Sequence, residues 1–228
     1  MRPERGARRA GAGGRCGGEK PAGADQLQRA RIRQALLDLC FERGFAAVDL
    51  EDLLERAEVD RPTFERHYGD LENCFYLVYA EALAGWRERG ARARARAQSW
   101  RERVRVTAYA LYRFLADDEK LRRFTTAEVR GGGERVQLLV GEEVEELFDL
   151  IDEGRREPGA PVTLTRATAE QVGGGIFNQL YAAGSRGGPM PPEREIIPQL
   201  MYTVVLPYLG DQAAREELRA SPPPISEC

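Results

Sequence analysis

The sequence predicts an all-α protein of about nine helices, and three observations carry that reading. From Leu27 onward apolar residues recur at helical spacing, the breaks between periodic stretches are marked by Gly, Pro or paired Asp, and no stretch reads convincingly as a strand. Residues 1–24 come first and lack any apolar periodicity. They are dominated by Gly, Ala and Arg, a composition that buries too little surface to offset chain entropy, so disorder is expected there.

The first helix is expected over about 27–43, with Ile32, Ala35, Leu36, Leu39 and Cys40 on one face and Gly44 closing it in a left-handed C-cap. Asp49 is placed to cap a two-turn second helix whose stripe is Leu50, Leu53, Leu54 and Ala57. After the break Glu58-Val59-Asp60, Asp60 caps a third helix, Arg61–Tyr68, with Pro62 in the first turn where proline is tolerated. Gly69-Asp70 ends it and caps a fourth helix, which carries Cys74, Phe75, Val78, Leu83 and Trp86 into the Ala/Arg repeat at 91–97. Further helices are expected at roughly 101–117, 119–130, 134–155, 163–185 and 192–210, and the tail at Ser221-Pro222-Pro223-Pro224 is expected to be unstructured. The implied division is a basic arm at 1–24, a three-helix domain at 25–72, a larger helical domain at 73–212 and a flexible tail at 213–228.

Composition removes several function classes. No run approaches the length of a membrane span and no apolar segment follows the N-terminal arginines, so no membrane partner and a cytoplasmic location are expected. Cys16, Cys40, Cys74 and Cys228 lie far apart, and His67 is the only histidine, which argues against a metal site; Cys40 and Cys74 read as small buried residues. No nucleophile and base pair, phosphate loop or cofactor motif is present, so neither an enzyme nor a bound cofactor is expected. The net charge of −3 decides little, but its distribution matters. Residues 1–34 hold nine basic residues (Arg2, Arg5, Arg8, Arg9, Arg15, Lys20, Arg29, Arg31, Arg33) against three acids (Glu4, Glu19, Asp25).

A two-turn helix, a three-residue turn and a second short helix docked on a longer first helix form the geometry of a helix-turn-helix DNA reader. Generic three-helix packing has the same pattern. The residues go further. The run Arg43-Gly44-Phe45 through Arg61-Pro62-Thr63-Phe64-Glu65-Arg66-His67-Tyr68 to Phe75 closely resembles the DNA-binding domain of the TetR family of transcriptional regulators, over about residues 29–77. Val172–Tyr181 and Val205–Gly210 resemble the last two helices of such regulators, which pair with their copies in a dimer.

The resemblance implies a homodimer that binds double-stranded DNA and responds to a small-molecule effector. It implies DNA contacts by Arg29, Asp49, Leu50, Arg61, Pro62, Thr63, Glu65, Arg66 and His67, with Thr63 and His67 on phosphates. Arg66 is the best candidate base reader, because a guanidinium matches guanine O6 and N7. Phe64 and Tyr68 are expected to pack the helix onto its domain, and His67 has a structural capping role as its alternative. The dimer face is expected at Val172, Ile176, Phe177, Leu180, Tyr181, Val204, Val205 and Tyr208, the same stripe being also suited to the chain's own core. Trp86, Trp100, Tyr109, Tyr112, Phe124, Phe148 and Phe177, together with Phe114, are the candidate lining of an effector pocket for an apolar ligand, although aromatics at helical spacing are more often plain core.

Three positions depart from the family pattern: Glu65 stands where a tyrosine is usual, Leu71 where a lysine is usual, and Glu58 where a turn glycine is common. Between Asp49 and Glu72 there are nine acids against three arginines, a surplus that would repel phosphates if it faced them. The arginine-rich arm is the candidate compensation, through the minor groove, with no role as its alternative. Glu65 is suited to accept from cytosine N4. The sequence thus supports a TetR-type regulator, a repressor by family default, released from DNA by an apolar ligand. The alternative is a degenerate member that binds ligand or protein with little DNA affinity.

Overall fold

The computed structural model describes residues 22–185 and 187–223. Among these residues there are nine α-helices and no strand: α1 (Ala22–Arg43), α2 (Leu50–Ala57), α3 (Arg61–Tyr68), α4 (Leu71–Arg94), α5 (Trp100–Ala116), α6 (Glu119–Thr126), α7 (Gly133–Asp152), α8 (Arg166–Ser185) and α9 (Glu193–Glu217). Cys16, Cys228 and residues 1–21 of the basic arm lie outside the described residues.

The expected caps are in place. Asp49 accepts from the Asp52 amide at 2.9 Å, Asp60 from Thr63 at 3.0 Å and Asp70 from Asn73 at 2.8 Å, each satisfying an amide that the first helical turn leaves without a partner. Gly44 and Gly69 both take positive φ, 79° and 77°, at the ends of α1 and α3, but with ψ 150° and −67° neither has the left-handed helical conformation that the sequence reading expected of Gly44. The turn between α2 and α3 is made without glycine: Glu58 sits in the left-handed region at φ 51°, ψ 48°. It is the one non-glycine residue with positive φ among the described residues.

Two boundaries differ most from the sequence reading, while α6 also ends earlier than expected, at Thr126, and α8 starts later, at Arg166. Helix α1 begins at Ala22, so residues 22–24, expected to belong to the disordered arm, are helical; alanines favour the helix and Asp25 complements the positive end of its dipole. Helix α9 does not end at 210. Gly210 breaks it at φ 77°, ψ 178°, and the chain resumes a helix to Glu217, into what was expected to be tail. That last segment is anchored because the fully buried Glu217 carboxylate accepts from Arg101 at 2.6 Å and Arg105 at 2.6 Å on α5.

Two cores hold the helices together. The first gathers Ile32, Leu36, Leu53, Phe64, Phe75 and Val78 of α1–α4, but it also includes Phe124 of α6 and Val136 of α7. The Phe75 ring lies 4.5 Å from Phe124 and 4.3 Å from Phe45, so the three-helix domain is continuous with the larger one rather than sealed off from it. Gly132 makes this join possible: a Cβ there would run into Phe75 and stand 2.8 Å from Val136. Polar links reinforce it, Lys120 of α6 to Asp38 of α1 at 2.7 Å and the Phe45 amide to the Glu128 carboxylate at 2.8 Å. The second core is built by α5, α7, α8 and α9 around Trp100, Ile151, Ile197, Met201, Val205 and Tyr208.

Candidate nucleic-acid interface and ligand cavity

Helix α3 is fixed by its apolar side. Phe64 and Tyr68, spaced i and i+4, are buried against α1, α2 and α4, and Thr63 is buried with them. Arg61, Pro62, Glu65 and Arg66 are left on the solvent face. Arg29 of α1 is exposed, Asp49 is exposed as a cap, and Leu50 is partly buried against the domain core. Arg61, Pro62, Glu65, Arg66 and Arg29 are therefore the candidate residues open to a nucleic-acid groove.

Two residues assigned to phosphate contacts are not open in this way. Thr63 is only 5% exposed, on the domain side of α3 with Phe64. The His67 side chain is 4% exposed and lies against α1, with Nδ1 accepting from Arg29 Nε at 3.4 Å and Nε2 lying 3.4 Å from Gln28 Oε1. The structural alternative for His67 describes this arrangement: the ring joins α3 to α1.

The acid surplus has an internal explanation. Asp49, Asp60 and Asp70 are helix caps. Glu51 pairs with Arg61, Asp52 with Arg43 and Glu58 with Arg31, the last at 2.7 Å, while Glu65 lies 3.9 Å from Arg61. Arg31 and Arg43 come from α1, outside the window in which the acids outnumber the arginines, which is why a local count overstated the repulsion. Arg66 lies 3.6 Å from Asp25 and donates to Gln28 at 3.3 Å. Pairs as exposed as these contribute at most about 1 kcal/mol each, so their arginines can exchange a carboxylate for a phosphate at small cost.

Behind this domain, α4–α8 line a partly open cavity of about 510 Å³, within the range of roughly 300–1,000 Å³ usual for small-molecule sites. Of the aromatics proposed from sequence, Trp86, Phe114 and Phe177 line it. The other five do not. Trp100 is in the second core, 5.1 Å from Tyr208 and donating to the Leu150 carbonyl at 2.8 Å. Tyr109 is buried in that core and Tyr112 donates to the Pro191 carbonyl at 2.6 Å. Phe124 packs on Phe75, and Phe148 fills the space that Gly173 leaves on α8. Missing from the sequence reading was the inner face of α7, Val140, Glu143, Val144 and Leu147, whose three- and four-residue spacing was the available signal. Glu143 is half buried; burial pushes its carboxyl above the usual carboxylate range, opposed by a hydrogen bond from Trp86 at 2.7 Å and by Arg87. The far wall includes Thr125 and Thr126 of α6, the helix that also touches α1.

The proposed dimer face needs correction. Ile176, Leu180, Val204, Val205 and Tyr208 are buried in the protomer's own second core, so a partner cannot meet them without unpacking it. Phe177 and Tyr181 turn toward the cavity, and Val172 packs against the second core. The outward residues of these helices are instead Gln171, Gly175, Asn178, Gln199, Thr203 and Leu206. A Cβ on Gly174 or Gly175 would meet nothing within 4 Å.

Among the described residues no helix is long and apolar enough to cross a membrane, and no cluster of His, Cys, Asp and Glu is arranged to hold a metal ion. No family model matches the chain. It is 22% identical over 137 residues to an uncharacterized HTH-type transcriptional regulator of Haemophilus influenzae, covering 58% of this chain and 67% of that protein. Among solved structures it is similar to a TetR-family regulatory protein from Rhodococcus RHA1, with a TM-score of 0.65 at 16% identity, covering 79% of this chain and 96% of that one. It is also similar to the fatty acid degradation regulator FadR of Bacillus halodurans, with a TM-score of 0.64 at 14% identity over 79% of this chain and 94% of that one. The order of the nine helices among the described residues, the helix-turn-helix of α2 and α3 and these likenesses together show that the chain has the TetR-family fold.

Proposed function

We infer that this protein is a TetR-type transcriptional regulator that binds operator DNA as a homodimer and is released by a small, largely apolar ligand. The observation that carries the reading is the solvent face of α3: a short capped helix is held by Phe64 and Tyr68 so that Arg61, Pro62, Glu65 and Arg66 project outward together, the presentation a recognition helix needs. Arg66 is suited to guanine and Glu65 to cytosine N4. The acids that favoured a degenerate member mostly have partners within the domain, which removes the main reason for that alternative.

The start of α1 lies beside α3, with Asp25 and Gln28 against Arg66, and the proposal gives a role to the arginine-rich segment that precedes it in the sequence. In this proposal it supplies further phosphate contacts. Two copies pair through the outward face of α8 and α9, where Leu206 is 38% exposed and Gly174 and Gly175 leave room for a close helix. A ligand in the cavity would press on Thr125 and Thr126, and hence on α6, whose Lys120 and Phe124 are bound to the DNA-binding domain. This gives effector and DNA a shared movable element. That a structural neighbour is named a fatty acid degradation regulator accords with an apolar effector.

Genome-wide selection of DNA fragments on the purified protein tests the reading. The expected result is enrichment of a palindromic site; enrichment of no sequence over bulk DNA would overturn it.

A further inference from the structure

The lining of the cavity carries six charged side chains: Arg94, Arg103, Glu143, Glu146, Asp149 and Glu153. Most are already engaged. Arg103 donates to Glu153 at 2.7 Å, Asp149 pairs with Arg166, and Glu143 holds both Trp86 and Arg87. Glu146 is exposed and keeps its hydration. Arg94 differs: it is half-buried at the wall, and no carboxylate or carbonyl among the described residues engages its guanidinium.

Its position is built by the helix. Trp86, Gly90 and Arg94 follow at i, i+4 and i+8 on one face of α4. Gly90 is buried in the helix interior, where glycine is less favourable than alanine by roughly 1 kcal/mol. A Cβ there would stand 3.4 Å from the Trp86 ring and 3.3 Å from Arg94 Nη1. The missing side chain lets the guanidinium fold back toward the indole, at the margin of a cavity walled by Leu83, Leu111, Phe114, Leu147 and Phe177. A permanently charged, planar donor beside an apolar space is suited to an amphiphile with a carboxylate head.

We propose that the effector of this site is an amphipathic carboxylate, its hydrocarbon chain in the cavity and its head on Arg94. The proposal rests on the regulator reading only for the word effector; binding itself is independent of DNA. The test measures binding of dodecanoate, its methyl ester and dodecyltrimethylammonium, each below its micellar concentration, by calorimetry on the full chain without DNA. Dodecanoate is expected to bind, tighter than the ester by about tenfold or more, consistent with a charge-assisted pair. Arg94→Gln should erase that preference by weakening dodecanoate more than the ester, and Arg94→Lys should retain part of it. Equal melting temperatures for the variants and the parent protein confirm the fold. Tighter binding of the cation, equal binding of acid and ester, an unaltered preference in Arg94→Gln, or no binding of any of the three would overturn the proposal. Dodecanoate binding by a protein that selects no DNA would overturn the regulator reading alone, and DNA selection without dodecanoate binding would overturn this proposal alone.

Discussion

Replacing Glu58 by glycine should stabilise the protein even though it deletes an ion pair. Glu58 ends α2 at φ 51°, ψ 48°, where a Cβ crowds the following carbonyl and costs roughly 1–2 kcal/mol. Glycine removes that strain but adds freedom to the unfolded chain, an offset of about 0.4–1 kcal/mol. The lost pair with Arg31 is small, at most about 1 kcal/mol and less here because the Glu58 side chain is 84% exposed. Arg31 also donates to the Glu58 carbonyl at 2.8 Å, a bond that the substitution leaves intact. The net expectation for Glu58→Gly is a gain of roughly 0.5 kcal/mol, which in a chain of this size raises the melting temperature by about 1–2 °C. Glu58→Ala separates the contributions, because it loses the pair and keeps the strain; it should fall about 1 kcal/mol below the glycine variant. Urea unfolding followed by circular dichroism, with unchanged dependence on urea, gives both numbers. Equal stability of the alanine and glycine variants would refute the strain argument.

Other consequences are equally direct. Gly154→Ala places a Cβ 2.8 Å from Tyr208 and 2.7 Å from the far edge of Trp100, so it should cost about 1–3 kcal/mol in urea unfolding, whereas Gly141→Ala, with nothing within 4 Å, should gain up to roughly 1 kcal/mol. Glu217→Ala leaves Arg101 and Arg105 facing a void where a buried carboxylate stood, and a loss of about 3 kcal/mol is expected by the same method; a loss under ~1 kcal/mol would mean the last segment of α9 is not anchored there. Burial pushes the Cys40 thiol up to about 12 and Cys74 higher still, so neither forms the reactive thiolate near pH 8. Peptide mapping after iodoacetamide treatment should find both unmodified in the native protein and modified in urea; native labelling would contradict their packing.

Helix positions were largely legible because they depend on local rules: the apolar period, the caps at Asp49, Asp60 and Asp70, and breaks at Gly and Pro. The boundaries that moved were set at longer range. The end of α9 depends on Glu217 meeting Arg101, more than a hundred residues away in the chain. The exposed face of α3 was only partly legible. Periodicity identified Phe64 and Tyr68 as inward, but it did not show that Thr63 is buried with them, and the lodging of His67 against Gln28 and Arg29 depends on residues of α1 far away in the chain. The acidic character of the second and third helices was misleading for the same reason, since Arg31 and Arg43 reach it from α1. For the cavity, aromatic residues were a poor guide: Trp100 and Phe124 fill cores, while the wall is completed by Val140, Val144 and Leu147 of α7. On α8, a single apolar stripe does not say whether it faces its own protomer or another, and Ile176 and Leu180 took the first option.

The central claim is that the exposed face of α3 reads DNA, and it is tested most directly by the salt dependence of binding to the selected operator, measured by fluorescence anisotropy for the unaltered protein and for Arg66→Ala. The affinity of the unaltered protein should fall steeply between about 50 and 200 mM salt, as phosphate neutralisation requires. Arg66→Ala should bind more weakly by roughly 1–3 kcal/mol, with relaxed preference at one base pair and a nearly unchanged salt slope. Binding that is insensitive to salt, or an Arg66→Ala variant indistinguishable from the unaltered protein in affinity and base preference, would contradict it.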